Sequence, residues 1–232
     1  VFEQRLSAEQ RREAIVMAAL PLFARKGFAN TTTRELAEAA GVSEALIYKH
    51  FPSKESLYAE IQSTGCKDKD QGLEKLACAE PSTSSLVHIV YYLLRTIVMG
   101  KPGDTISWEV KHRMILNSCL EDGGFTRLLY ENRFSCCFEK VQACLAASER
   151  AGDIVQCGIS PENRVRFAHH LAAMIAINHL PRRPVIDYHV DREELVHEAV
   201  WFALRGLGLT DQAIARHYNP KALSGFFGVG NQ

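Results

Sequence analysis

The chain has no excess of either charge: 27 Lys and Arg stand against 27 Asp and Glu in 232 residues. Residues 1–60 balance as well, with eight basic and eight acidic side chains. Non-specific attraction to nucleic acid should therefore be modest, and the balance neither supports nor excludes specific binding by cations gathered on one face. Long apolar runs are missing too. The most apolar stretch, Leu86 to Met99, is interrupted by His88 and Arg95 and is too short to span a bilayer, and no secretory segment is visible. Enzyme signatures are absent: there is no Gly-rich phosphate loop, no Gly-x-Ser-x-Gly elbow and no His, Cys and Glu at metal-ligand spacing. No catalytic residue, cofactor or metal is therefore expected. Seven cysteines (66, 78, 119, 136, 137, 144, 157) are odd in number and lack Cys-x-x-Cys spacing, which excludes a disulfide framework and points to reduced, mostly core-filling thiols in a cytoplasmic protein. Cys137 and Cys144, seven apart, leave a thiol sensor as the other reading. His169, His170, His179 and His189 crowd one region, but adjacent helical histidines diverge by about 100° and suit a polar surface better than one ion. The chain opens on Val1 and not on Met, so residues upstream are expected.

What is present is helical punctuation. Between Thr31 and Tyr58, TTTRELAEAAGVSEALIYKHFPSKESLY reads as two short helices joined at a glycine and followed by a proline stop, the outline of a helix-turn-helix. Thr32 and Glu35 form a capping-box pattern, after which Leu36, Ala37 and Ala40 share one face. Gly41 suits the positive φ of a helix exit, Val42 plugs the space between the helices, and Ser43 caps a second helix from Glu44 to about His50. Leu46 or Ile47 turns inward, leaving Tyr48, Lys49 and His50 on a polar rim that a DNA backbone would fit. Pro52 stops this helix, and Ser53 starts another with Lys54 in its first turn, where a cation opposes the helix dipole unless phosphate is its neighbour. Upstream, Ser7 and Gln10 form a second capping box. Ile15, Ala18, Ala19, Leu22 and Phe23 then repeat at helical spacing as far as Gly27, with a bend expected at Pro21. Taken singly, Tyr48 reads as a core aromatic, His50 as a capped helix end and Thr33 as a first-turn residue; taken together they read as a DNA surface.

The run Phe23–Ala24–Arg25–Lys26–Gly27–Phe28, then Thr31–Thr32–Thr33, Ala37, Ala40–Gly41–Val42–Ser43, Ile47–Tyr48, His50–Phe51 and Lys54 resembles the N-terminal domain of the tetracycline-repressor (TetR) family of transcriptional regulators. The resemblance covers about the first quarter of the chain without a gap. It implies an all-α homodimer: an N-terminal three-helix helix-turn-helix domain (1–53) followed by a larger helical effector-binding and dimerisation domain (54–232). It further implies a repressor that binds a palindromic double-stranded DNA operator and leaves it when a small molecule enters the C-terminal domain. Carried over position by position, Thr33 and Arg34 stand where the family contacts phosphate or an adjacent base. Ser43, Glu44 and Ala45 stand where base edges are read, Tyr48, Lys49 and His50 where phosphate and thymine methyl groups are met, and Lys54 where backbone phosphate is clamped. Two positions depart from the family pattern: Glu44 replaces a residue often basic or amide, and Leu46 a small or hydroxylated one. Glu44 either accepts from cytosine N4, or discourages wrong sequences and pairs with a nearby Lys or Arg.

Beyond this segment the chain divides into helical blocks without repeats. Ser53 to about Lys67 links the domains, and a polar loop rich in Lys and Asp follows. Leu86 to Met99 is apolar nearly all round, as a surrounded helix should be, and Thr105–Cys119 and Phe125–Ala151 follow it, divided at Gly123–Gly124. Tyr91, Tyr92, Trp108, His112, Phe134, Phe138 and Met174 are expected to face the middle of this bundle and to take a small apolar or aromatic effector, with His112 or Tyr91 as polar anchor. Each read singly is a core-packing residue. Two late helices, opened by Ser160–Pro161 and by Asp191, carry Val165, Ala168, Leu171, Ala172 and Ile175, then Leu195, Ala199, Val200, Ala203 and Leu207; these faces are expected to pair in a four-helix dimer interface. Past Thr210 the pattern weakens. The alternative function is a small-molecule enzyme or carrier that keeps the helix-turn-helix as an interaction surface, distinguished by ligand turnover without salt-dependent DNA binding.

Overall fold

The computed structural model describes residues 6–67, 71–101, 103, 104, 106–131 and 135–227. All regular elements among them are helices: α1 (Ala8–Lys26), α2 (Thr33–Ala40), α3 (Glu44–His50), α4 (Lys54–Lys67), α5 (Gln71–Cys78), α6 (Thr83–Met99), α7 (Trp108–Leu120), α8 (Gly124–Leu129), α9 (Ser135–Arg150), α10 (Pro161–Asn178), α11 (Arg192–Gly206), α12 (Asp211–His217) and α13 (Pro220–Phe227). The chain folds as two compact units, one of Val1–Asp68 with Glu109–Asn132 and one of Lys69–Trp108 with Arg133–Gln232. The division expected after residue 53 follows the three-helix bundle, whereas by packing α4 stays with that bundle, because its Leu57 and Ile61 are buried and it lies on α1.

In the first unit the capping residues act as their spacing predicts. The Ser7 and Thr32 hydroxyls accept from the third-position amides of α1 and α2, and the Gln10 and Glu35 side chains accept from the cap amides in return. α1 continues through Pro21, which faces solvent, and buries Ile15, Val16, Ala19, Leu20, Phe23 and Ala24. Gly41 ends α2 in the left-handed region (φ 63, ψ 34), and Ser43 caps α3 by accepting from Leu46 N–H at 3.2 Å. Leu36, Ala37, Ile47 and Phe51 close the core beneath the turn.

The second unit is built around α6. Leu86, Val87, Ile89, Val90, Tyr91, Leu94 and Val98 bury several sides of this helix against α5, α9, α10, α11, α12 and α13. Here the structure corrects the sequence reading at three places. The polar stretch after Lys67 contains α5, and the weakly patterned tail contains α12 and α13, which bury Ala213, Ile214 and Leu223. Of the helix expected over 125–151 the structure describes α8 and α9, and residues 132–134 between them lie outside the described residues. Most consequentially, the apolar faces of α10 and α11 assigned to dimerisation pack within the chain itself. Ala172 and Ile175, and Leu195, Ala199, Val200, Ala203 and Leu207, belong to the core on α6, with Val165, Ala168 and Leu171 packed against it. The exposed large apolar residues of these helices are instead Phe167 (57%), Met174 (61%), Trp201 (39%) and Phe202 (71%), on the faces turned away from that core.

The cysteines are also less internal than expected: Cys78, Cys119 and Cys157 are exposed, Cys137 is half-buried and only Cys144 among these five is buried. No described helix is long and apolar enough to cross a membrane.

Candidate nucleic-acid interface

α3 has seven residues, so two of its turns must supply both the packing and the outward face. Ile47 is buried and Leu46 half-buried, while Glu44, Ala45, Tyr48 and Lys49 are exposed. At 3.6 residues per turn those four positions fall within about 140° of each other, which makes one continuous outward face. Ser43 is exposed at its head, and His50 is half-buried at its foot. Ser43 Oγ is occupied as an acceptor by the cap but keeps its hydroxyl proton to donate. Glu44 lies in the first turn, where the helix dipole favours an anion, and it has no ion-pair partner among the described residues. The pairing with a nearby Lys or Arg that the sequence left open is therefore not made within the described chain.

Two residues of α2 stand beside this face. Thr33 is half-buried, with its Oγ1 3.3 Å from the Tyr48 hydroxyl, so the first turn of α2 fixes the tip of a ring that is otherwise 50% exposed. Arg34 is exposed and its Nε donates to Glu38 at 3.0 Å, a surface pair of i,i+4 spacing that an anionic partner can displace at little cost.

Lys54 differs from the free phosphate clamp the sequence predicts. Its half-buried ammonium donates to the carbonyls of Phe28 (2.9 Å) and Thr31 (3.0 Å) and sits 4.3 Å from the Phe28 ring centroid. Two of its three donors thus hold the turn between α1 and α2, and one remains for an outside acceptor. The same turn is held by a neighbour that sequence reasoning did not find. Asn117 on α7 donates to the carbonyls of Phe23 and Ala24 at the end of α1, and Glu121 accepts from Phe28 N–H at 3.1 Å. Tyr58 completes an aromatic triad with Phe23 and Phe28 at centroid distances of 5.1 and 5.0 Å; burial, then the Glu121 and Asp122 carboxylates, push its hydroxyl up to about 12. Contacts that join residues more than 90 apart carry no local signal in sequence.

The structure describes six of the seven candidate effector residues. Tyr91 and Tyr92 are buried among Tyr218, His197 and Phe227, with the Tyr92 and Phe227 rings 4.7 Å apart and His197 Nδ1 2.8 Å from the Tyr218 hydroxyl. Trp108 donates from Nε1 to the Ile97 carbonyl at 2.7 Å and lies under the Arg192 guanidinium, at the end of α6. Phe138 is half-buried beneath Arg166, at 5.5 Å. His112 is buried in the first unit, Phe134 lies outside the described residues, and Met174 is corrected to an exposed position, since α10 turns it away from α6. The His169 and His170 rings are 5.7 Å apart; burial, then His170, hold His169 at about 4, uncharged near neutrality. No group of three or more His, Cys, Asp or Glu among the described residues is placed to hold a metal.

Residues 15–61 match the family model of bacterial regulatory proteins of the tetR family. Over 85 residues the chain is 35% identical to the helix-turn-helix-type regulator YfiR of Bacillus subtilis, a match covering 37% of this chain and 40% of that protein. Over 54 residues it is 43% identical to the helix-turn-helix-type regulator AcrR of Shigella flexneri, covering 23% of this chain and 25% of that one. These matches span less than half the length of either relative. The crystal structure of AibR in complex with isovaleryl coenzyme A and operator DNA shares the fold, with a TM-score of 0.61 at 18% identity over 83% of this chain and 97% of that one.

Proposed function

We propose that this chain, a member of the tetR family of bacterial regulatory proteins, is a ligand-responsive repressor that binds a palindromic operator as a homodimer and leaves it when a small effector binds. The observation that carries the DNA reading is the outward face of α3: Glu44, Ala45, Tyr48 and Lys49 together, capped by Ser43 and braced at Tyr48 by Thr33. A face of this kind at the second helix of a helix-turn-helix enters the major groove, with its first residues at base edges and its flanks at phosphates. Glu44 stands at the reading end, where a free carboxylate accepts from cytosine N4 and repels the acceptor-rich edge of guanine. The neutral charge balance places the weight on this specific contact and keeps non-specific affinity modest.

The dimer reading is supported by Phe167, Met174, Trp201 and Phe202, exposed apolar side chains on two adjacent helices, of a kind that monomeric proteins keep sparse. Two such helices from each copy would form a four-helix interface and space two recognition helices about one turn of DNA apart. The effector reading is supported by the shared fold with a regulator solved with both an acyl thioester of coenzyme A and operator DNA. An effector of largely apolar character would bind the second unit, shift α4 and change the spacing of the two α3 helices, so that operator affinity falls.

The test is salt-dependent binding to a duplex that the wild-type chain selects from a random pool. Tyr48→Ala is expected to weaken that duplex by about tenfold while leaving the oligomer intact. Unaltered binding by this variant, or selection of no duplex by the wild type, would count against the assignment.

A further inference from the structure

α3 is too short to fix its own orientation. A seven-residue helix makes few internal hydrogen bonds, and its last four carbonyls have no partner within it. Its head is fixed by Ser43, Ile47 and the Thr33–Tyr48 contact. Its foot ends at Phe51, in extended backbone (φ −135, ψ 108), and the next residue is Pro52, which has no amide to donate. Phe51 N–H serves the Ile47 carbonyl at 2.8 Å, and the donor to the His50 carbonyl comes from α1. Arg12 Nη1 donates to the His50 carbonyl at 2.6 Å, and the guanidinium lies 4.1 Å from the centroid of the fully buried Phe51 ring. The other half of the same guanidinium is engaged elsewhere: Nη2 donates to Glu60 Oε2 on α4 at 2.9 Å.

From this arrangement we propose that Arg12 is a positioning residue that ties the foot of the recognition helix to α4. The inference rests on the DNA-binding reading and adds the part that sets the pitch of α3. A guanidinium is planar and rigid, so its two terminal nitrogens hold the His50 carbonyl and the Glu60 carboxylate at one fixed spacing. The cation also neutralises the negative end of the α3 dipole. A displacement of α4 at Glu60 is therefore delivered through one side chain to the backbone beside Lys49 and His50. Arg12 touches no base in this scheme; it acts through α3, and its loss appears as a loss of discrimination and not of charge attraction.

Arg12→Lys separates the two effects, because lysine keeps the charge and the ring contact but cannot span both acceptors. Affinity for the duplex selected by the wild-type chain is expected to fall about tenfold, as for a lost charge-assisted hydrogen bond, while affinity for poly(dI-dC) stays within about twofold. Both are measured on full-length protein at a temperature where circular dichroism shows it folded. A simple loss of folded protein would lower the two affinities together. An unchanged ratio in folded Arg12→Lys would overturn the proposal. Glu60→Gln tests the tie without DNA and without touching Arg12. The amide resonances of Lys49, His50 and Phe51 are expected to shift in this variant, and resonances that stay where the wild type has them would overturn the link to α4. Failure of the wild-type chain to select any duplex would sink the DNA reading alone, and the amide shifts would still decide the tie.

Discussion

At the scale of single residues, the charged groups of the first unit do more holding than reaching. Lys54, which the sequence assigns to phosphate, spends two donors on the turn between α1 and α2; Arg12, which the sequence passes over, joins three elements. Glu35 shows the same economy. The Lys26 ammonium, then the Thr32 amide and hydroxyl, hold its carboxyl at about 2, well below the ordinary 4.5. Because its folded value lies below its unfolded one, the stabilisation is complete above about 4.5 and drains away as pH falls towards 2. The urea midpoint of the wild type is expected to drop between about pH 5 and about pH 3 more steeply than that of Glu35→Gln, which titrates nothing at this position. Equal slopes in the two proteins would show that Glu35 is not the group concerned. The sequence made the Thr32–Glu35 cap legible because partners three residues apart leave a spacing pattern. It could not reveal Lys26 or Arg12, whose partners lie on other helices.

At the scale of elements, two helix ends that look alike in sequence are built differently. Gly41 ends α2 in the left-handed region with open space where a Cβ would stand. Gly27 ends α1 at φ 75 and ψ 171, a conformation almost restricted to glycine, and a Cβ there would come within 2.7 Å of Glu121 Oε1. That carboxylate cannot simply move aside, because it accepts from Phe28 N–H. Gly41→Ala is expected to cost about 1 kcal/mol and Gly27→Ala at least about 2 kcal/mol, read from urea unfolding. The opposite order would refute the account of the α1 end. The helices themselves were readable wherever a cap and a periodic face coincided, as in α1 to α4, α10 and α11. α5, α12 and α13, of seven or eight residues each, were not, because a helix that short shows little periodicity of its own and no capping-box pattern opens them as one opens α2.

At the scale of the whole molecule, the decisive question is which faces remain for a second copy. The apolar stripes of α10 and α11 most visible in sequence are consumed by α6, and Phe167, Met174, Trp201 and Phe202 are left outside. Phe202→Asp, placing a charge on the most exposed of these, is expected to move the solution mass from dimer to monomer at micromolar concentration while the helical circular dichroism is retained. A dimer mass unaffected by this substitution would place the interface elsewhere.

What the sequence by itself determined is the all-helical class, the helix-turn-helix and the resemblance of that segment to the tetR family, because capping boxes, a glycine exit and a proline stop act within four residues and leave their pattern in the chain. What only the tertiary structure decided is the destination of each side chain: Lys54 in the α1–α2 turn, Arg12 between α3 and α4, Met174 at the surface, and the late helices turned with Phe167, Trp201 and Phe202 outward. Those outcomes depend on which surfaces meet after residues tens of positions apart have come together. A helix with apolar side chains on more than one face does not itself state which of them will be buried.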